Sequence, residues 1–166
     1  MPAKGRARPL VSTTTPHNSI RLVLPESLAR QIEREGESGY PNEICGMLIG
    51  RDVTGPDGRP RRMVDRLEPG RNVFEAGEQY HRFSIDPRDQ LKAERAAEQQ
   101  GRMVLGYYHS HPDHHARPSE YDREHAWPFY SYAIVEIAKG KAADLTSWVL
   151  NDETKQFERQ LIERTT

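Results

Sequence analysis

The stretch that most constrains the fold is an apolar and aromatic run at residues 103–108, which leads directly into His109-Ser110-His111-Pro112. Such a run is typical of a buried strand, and Pro112 marks its end because proline cannot donate a hydrogen bond to a neighbouring strand. Residues two apart on a strand point to the same face. We therefore expect a strand whose end presents His109 and His111 side by side.

A helix start follows this strand end. Seven residues separate His111 from Ser119, and Asp122 lies three positions further on. Ser119 is a good N-cap, so Asp122 should lie in the first helical turn. Two His and one Asp make a three-ligand set, which is usual for zinc sites that perform chemistry and keep a position open for water. Taken separately, a His pair can simply be two exposed surface residues, and Ser-x-x-Asp can be an ordinary capping box. Found together at this spacing, they favour a metal site.

The pattern H-S-H-P-x(6)-S-x-x-D resembles the motif of the JAMM (MPN+) metalloprotease family. That motif also needs an upstream glutamate, and Glu43 matches it because it lies just before the Gly-containing apolar run 44–50. The resemblance covers roughly residues 20–150 and is closest to the short bacterial, sulfur-carrier-processing type. It implies a fold similar to that of the cytidine deaminases. The mixed order of strands and helices independently predicts an α+β domain, with helices on both sides of a mixed sheet.

The resemblance also implies a site and a substrate. His109, His111 and Asp122 would bind one Zn²⁺ per chain, Glu43 would act as general base and then general acid, and the Ser119 hydroxyl would help stabilise the oxyanion. The bond cleaved would be a peptide or isopeptide bond after the C-terminal Gly-Gly of a ubiquitin-like protein or a ThiS/MoaD-type sulfur carrier. The sequence does not identify the substrate-binding residues, although the resemblance makes 70–82 a candidate substrate-contacting loop.

Three alternatives were weighed against this interpretation. A non-catalytic MPN-type scaffold usually lacks some of the ligands, whereas all are present here. RadC-like proteins typically read His-Asn-His-Pro-Ser-Gly and carry a helix-hairpin-helix preamble, whereas this chain reads His-Ser-His-Pro-Asp-His and has no such preamble. A zinc deaminase would need a Pro-Cys-x-x-Cys pair, which a chain with one cysteine excludes.

Length and composition set the remaining expectations. With 166 residues, the chain should form one domain over 19–166 after a flexible tail at 1–18. The net charge of -1 and the few basic residues of the tail argue against nucleic acid as a partner. No apolar stretch is long enough to span a membrane, and a single cysteine favours a reducing, cytoplasmic compartment. The oligomeric state stays open, with a homodimer among the options.

Local patterns predict the order of the elements. Strands are expected at 20–24, 44–50, 62–67, 83–85, 103–108, 132–137 and 145–150, with an edge strand within 155–163. Helices are expected from Pro25 to Gly36 or Gly39, from 87 to 100, and from Ser119 to about Tyr130. A hairpin turn is expected at 55–58, where the sequence is Gly-Pro-Asp-Gly.

Several residues near the motif have two interpretations. Cys45 could be a nucleophile or a fourth ligand, but its place in an apolar run favours a small buried residue. Ser110 should point away from His109 and His111 and have a structural role. The remaining histidines of the region, His114, His115 and His125, are predicted to lie in solvent or beside the site rather than to bind the metal.

Overall fold

The structure is a computed structural model that describes residues 20–73 and 84–166. In these residues, eight strands form one mixed sheet, and the chain also forms three helices. The strands are β1 Arg21–Pro25, β2 Cys45–Thr54, β3 Pro60–Gly70, β4 Met103–Pro112, β5 Ser131–Ala138, β6 Lys141–Leu150, β7 Phe157–Gln160 and β8 Ile162–Thr165. The helices are α1 Glu26–Gly39, α2 Pro87–Gln99 and α3 Glu120–His125.

The strand order across the sheet is β7-β6-β5-β4-β2-β3-β1-β8. Three neighbouring pairs, β1–β3, β1–β8 and β4–β5, are parallel, and the others are antiparallel. The predicted turn connects β2 to β3 as expected, although both strands are longer than the sequence indicated. The centre of the sheet therefore places β4, which carries the two histidines, between β2 and β5.

The two helices of the core lie on opposite faces of the sheet, which confirms the predicted α+β arrangement. On one face, Ala29 and Ile32 of α1 pack in a cluster with Leu48 of β2. On the other face, Ala93 and Ala97 of α2 pack with the alternate β2 residues and with Val104 of β4. Because successive strand residues point to opposite faces, each central strand contributes to both clusters.

The C-terminal segment differs from the prediction. Instead of one edge strand within 155–163, the chain forms β7 and β8 at the two opposite edges of the sheet. Leu161 alone separates them, its side chain is 42% exposed, and its carbonyl accepts a hydrogen bond of 2.9 Å from Leu22 N. One residue can span only a few ångströms, so the sheet curls until its two edges meet at this point. The hydrophobic periodicity of the sequence does not predict this pairing, because the paired strands are far apart in the chain.

The helix after the motif is shorter than predicted. It was expected to reach about Tyr130, but α3 ends at His125 and Ala126 is extended, with φ -84° and ψ 151°. The cause is Pro128, which disfavours helical backbone at the residue before it and lacks an N–H for a helical hydrogen bond. The backbone N of Trp127 donates instead to the Tyr132 hydroxyl at 2.8 Å.

Some predicted segments lie outside the described residues. These are the tail at 1–18, most of the candidate loop at 70–82, and Phe83 of the predicted strand at 83–85. Of that strand, Ile85 forms an isolated bridge with Asn72. Among the described helices, none is both long enough and apolar enough to cross a membrane.

Candidate active site

His109 and His111 lie side by side at the C-terminal end of β4, on the same face of the sheet, as the strand period predicts. Both imidazoles are buried, and their Nε2 atoms are 3.1 Å apart. The Nδ1 atom of His111 lies 2.8 Å from the backbone carbonyl of His115. That contact fits an Nδ1–H donor and leaves Nε2 free to bind a metal, as is usual for metal-binding histidines.

Asp122 completes a cluster of three donor atoms. Its Oδ2 atom lies 3.2 Å from Nε2 of His109 and 3.1 Å from Nε2 of His111. The capping box at the start of α3 holds it there, because Ser119 N donates to Asp122 Oδ2 at 2.8 Å and Asp122 N donates to Ser119 Oγ at 3.0 Å. The predicted cap therefore also orients the carboxylate. These three side chains form a group that could hold a metal ion.

The electrostatics of the cluster favour an ionised carboxylate. Burial by itself would raise the pKa of Asp122, but the two imidazoles lower it well below its ordinary value. Burial lowers the pKa of His109, and the nearby Asp122 opposes that shift only in part. A neutral imidazole and an ionised carboxylate are the protonation states that metal ligands require.

Glu43 reaches the site through strand pairing rather than through its place in the sequence. Strands β2 and β4 are antiparallel, with Cys45 opposite His109, so the start of β2 lies beside the end of β4. Two hydrogen bonds join Ile44 to Ser110: Ile44 N donates to Ser110 Oγ at 2.9 Å, and Ser110 N donates to Ile44 O at 3.0 Å. Glu43 is therefore held beside the cluster, and Ser110 has the structural role that the sequence indicated.

Glu43 has a shifted pKa because of its surroundings. The residue is 6% exposed. Burial raises the pKa of Glu43 to about 8, the charge of Asp122 adds to the rise, and His111 opposes it. A carboxyl group with a pKa near neutrality can both accept and return a proton under ordinary conditions.

A pocket of about 490 Å³ opens beside Glu43 and His111. Ser119, the other predicted catalytic residue, lines the same pocket, as do His114, His115 and Arg117. His114 and His115 are exposed, as predicted. His125 is also exposed, and its ring stacks on Tyr121 at 4.1 Å between centroids rather than joining the three-donor cluster.

A second pocket of about 180 Å³ lies on the other side of the cluster, beside His109 and Asp122. Four aromatic side chains line it, those of Tyr107, Tyr121, Trp127 and Tyr132, together with Ser84, Ile85, Gln90 and His125. Trp127 is 68% exposed at this position. The cluster therefore lies between two pockets. We call the first the polar pocket, because charged and polar residues such as Glu43, Arg117 and Ser119 line it, and the second the aromatic pocket, because of its four aromatic rings.

Cys45 is a buried residue of β2, as the sequence favoured. Burial raises the pKa of its thiol to about 12, with the charge of Glu43 adding to the rise, so the thiolate form is disfavoured. The neighbouring Gly46 has no side chain for a steric reason. A Cβ there would lie 2.2 Å from the ring of Tyr108, its partner on β4.

Sequence reasoning missed Asn72 and the aromatic pocket. Asn72 Nδ2 donates to the Glu43 carbonyl at 3.2 Å, and its Oδ1 accepts from Ser84 N at 3.2 Å, so it joins Glu43 to Ser84. A lone Asn in a polar stretch carries no signal for that role. Trp127 and Tyr132 come from separate elements, and their common wall is visible only in the fold.

Comparison with known families identifies the chain. The sequence profile of the Prok-JAB family, described as prokaryotic homologs of the JAB domain, matches residues 25–151. The chain belongs to this family. The Prok-JAB match includes Glu43 and the whole H-S-H-P-x(6)-S-x-x-D segment, so it contains every residue of the candidate site.

Individual relatives agree with the Prok-JAB assignment. The chain is 38% identical to a desampylase from Haloferax volcanii over 103 residues, which are 61% of this chain and 68% of the relative. It is 30% identical to a CysO-cysteine peptidase from Mycobacterium tuberculosis over 133 residues, 79% of this chain and 84% of the relative. A solved structure from Desulfitobacterium hafniense superposes with a TM-score of 0.71 at 29% identity, covering 87% of this chain and 92% of that one.

Proposed function

We propose that this protein is a zinc-dependent hydrolase that cleaves a peptide or isopeptide bond after the C-terminal Gly-Gly of a ubiquitin-like protein or sulfur carrier. One observation carries the proposal. A buried glutamate, Glu43, lies in one pocket with Ser119 and His111, directly beside a cluster of three converging metal-ligand atoms. The similarity to a desampylase and to a CysO-cysteine peptidase supports hydrolysis at the tail of such a carrier protein.

The donor set fits a zinc ion. Zinc takes His nitrogen and Asp oxygen ligands at about 2.0–2.2 Å, so donors arranged tetrahedrally around it are about 3.3 Å apart. The three donor atoms of His109, His111 and Asp122 are 3.1–3.2 Å apart. They are two imidazole nitrogens and one carboxylate oxygen, which is a common donor set for a catalytic zinc. When bound, zinc lowers the pKa of water to about 7 and acts as a Lewis acid toward a carbonyl group.

The residues around the cluster can move the protons of the reaction. A Glu43 carboxylate oxygen takes a proton from the attacking water and then delivers it to the leaving nitrogen. The Ser119 Oγ accepts a hydrogen bond from Asp122 N, so its own proton is available to donate to the carbonyl oxygen as negative charge develops there. The helix cap holds Asp122 in position, and the His115 carbonyl holds the ring of His111.

A Gly-Gly tail suits this site for a steric reason. Glycine has no Cβ, so its backbone can approach a buried centre more closely than any other residue. His109 and His111 are almost fully buried, so a substrate must bring its scissile carbonyl close to buried side chains between the two pockets.

The test uses a ubiquitin-fold sulfur carrier with a C-terminal extension, followed by mass spectrometry. We expect cleavage directly after Gly-Gly, and we expect a chelator or a Gly→Val change at the last tail position to prevent it. Glu43→Gln should keep the metal, because Glu43 is not a ligand, but should lower the rate by about 10²–10⁴-fold.

Two results would contradict the proposal. Cleavage that ignores the tail residues would indicate a general peptidase. Failure to cleave any carrier with zinc fully bound would instead favour a non-catalytic scaffold.

A further inference from the structure

We propose that Arg117 binds the α-carboxylate of the leaving group, so that the preferred substrate carries a single α-amino acid joined through its α-nitrogen to the Gly-Gly tail. This inference rests on the proposed hydrolase function and names the leaving group. It concerns the polar pocket defined above, which is lined in part by Glu43, His111, Arg117 and Ser119.

The polar pocket is the leaving-group side of the site. When the C–N bond breaks, water supplies OH to the glycine carbonyl carbon, and the leaving nitrogen takes a proton from Glu43. The proton donor must therefore lie on the side of the departing amine. Glu43 lines the polar pocket but does not line the aromatic pocket beside His109. This places the carrier tail toward the aromatic pocket and the leaving group toward Arg117.

Arg117 is available to a ligand. Within the part of the chain that the structure describes, no acidic side chain pairs with its guanidinium. Glu120, the acidic residue of the pocket that lies nearest to Arg117 in the sequence, pairs instead with Arg123. A planar guanidinium can bind both oxygens of a carboxylate at once, which gives specificity as well as affinity.

The backbone that leads into Arg117 is held by two hydrogen bonds. Ala116 is buried, and its carbonyl accepts a hydrogen bond from Thr146 Oγ1 at 2.6 Å. Arg117 N donates to the His115 carbonyl at 2.8 Å, and that same carbonyl faces Nδ1 of His111. The loop that presents the guanidinium is therefore attached to the histidine of the cluster, and its geometry is established before a ligand binds.

The charge pattern selects one class of leaving group. In an α-amino acid, the carboxylate lies two bonds from the leaving nitrogen, so it enters the same pocket. The ε-amine of a lysine within a protein has no carboxylate near it and would leave Arg117 unpaired. A peptide whose next residue continues the chain would present a neutral amide to the same position.

The experiment measures binding separately from catalysis. Two fluorescein-labelled peptides end in Gly-Gly-Ala, one with a free carboxylate and one with a carboxamide. Their affinities are measured by fluorescence anisotropy with zinc-loaded Glu43→Gln protein, which does not turn them over. We expect the carboxylate peptide to bind at least about tenfold more tightly, and Arg117→Gln in the same background to remove that difference.

A matched control distinguishes the loss of a positive charge in the pocket from the loss of a positive charge elsewhere on the protein. Arg51 is also exposed and lies near the far end of β2 from the site, about 20 Å along the strand from Cys45. Arg51→Gln should therefore keep the preference. Equal binding of the two peptides, no binding of either, or a preference that survives Arg117→Gln would overturn the subsite. A clear preference without hydrolysis by the wild-type protein would support the subsite and contradict the proposed hydrolase.

Discussion

The burial of Glu43 makes the stability of the protein depend on the ionisation of this one carboxyl group. Its carboxyl group is almost fully buried in the described structure, and the negative Asp122 lies nearby. Burial favours the protonated form, which raises the pKa of Glu43 to about 8 from an ordinary value near 4.5. The native state therefore binds this proton more tightly than the unfolded chain. The stabilising contribution is complete below the unfolded pKa and is lost as the pH rises through the folded pKa.

This argument predicts a pH-dependent stability for the metal-free protein. Between about pH 4.5 and pH 8, the free energy of unfolding should fall because of Glu43, by up to about 1.4 kcal/mol per pH unit. The glutamine of Glu43→Gln cannot ionise, so the free energy of unfolding of this variant should fall less over the same pH range. At pH 8 the variant should be more stable than the wild-type protein. Urea unfolding of both chelator-treated proteins at pH 5 and pH 8 tests this. Parallel pH dependences would contradict it.

At the scale of elements, the site depends on how the ends of two strands are joined. Glu43 lies two residues before the start of β2, and the histidines lie at the end of β4. Ser110 of β4 hydrogen-bonds to Ile44, the residue that follows Glu43. Ser110 is fully buried, and its Oγ accepts the hydrogen bond of the Ile44 backbone N–H. Losing such a partner leaves a buried donor unsatisfied, which costs about 1–3 kcal/mol.

Ser110→Ala should therefore reduce both stability and activity. We expect a loss of about 1–3 kcal/mol in the free energy of unfolding, a lower kcat, and a zinc content close to that of the wild-type protein. Ser147→Ala is the matched control, because Ser147 is also a buried strand serine, with a hydrogen bond of 2.8 Å to Gln160 Oε1, but it lies on β6. It should lower stability by a similar amount without lowering kcat. Equal effects of both changes on kcat would contradict a positioning role for Ser110.

At the scale of the whole molecule, the proposed metal would link β4 directly to α3, two elements that the chain otherwise connects through a loop. His109 and His111 belong to β4, whereas Asp122 belongs to α3, a helix of six residues with no buried residue. A helix this short has little intrinsic stability. A ligand that binds only the folded state stabilises it in proportion to the logarithm of its concentration over Kd, so the metal should stabilise the fold as well as serve the chemistry.

Metal content and thermal stability should therefore change together. We expect about one zinc per chain, and at free zinc of about 100 times Kd the melting temperature should exceed that of chelator-treated protein by about 5–10 °C. His109→Ala and Asp122→Ala should lose the zinc and the response to chelator. His125→Ala should keep both, because that imidazole is outside the cluster. Full zinc in the His109 and Asp122 variants, measured by elemental analysis, would contradict the assignment.

The chain by itself predicts the features that depend on neighbouring residues. The shared face of His109 and His111 follows from the two-residue period of a strand, and the position of Asp122 follows from the cap at Ser119. The same local logic predicts a helix from 87 to 100, and the structure has it at Pro87–Gln99, where the Asp86 side chain accepts a hydrogen bond from Arg88 N at 2.8 Å. It failed at the end of α3 because Pro128 outweighed the apparent helical pattern.

Only the tertiary structure decides which distant segments meet. No local pattern specifies that the start of β2 pairs with the end of β4, and it is this pairing that brings Glu43 to the cluster. The C-terminal segment likewise forms strands at opposite edges of the sheet because the sheet curls until those two edges meet at Leu161. In the sequence, Arg117 is one arginine among many. It becomes a candidate for binding a carboxylate only because Thr146 of β6 holds the preceding residue and the fold brings Arg117 into one pocket with Glu43. These contacts join residues far apart in the chain, and periodicity, capping and turn signals act over only a few residues.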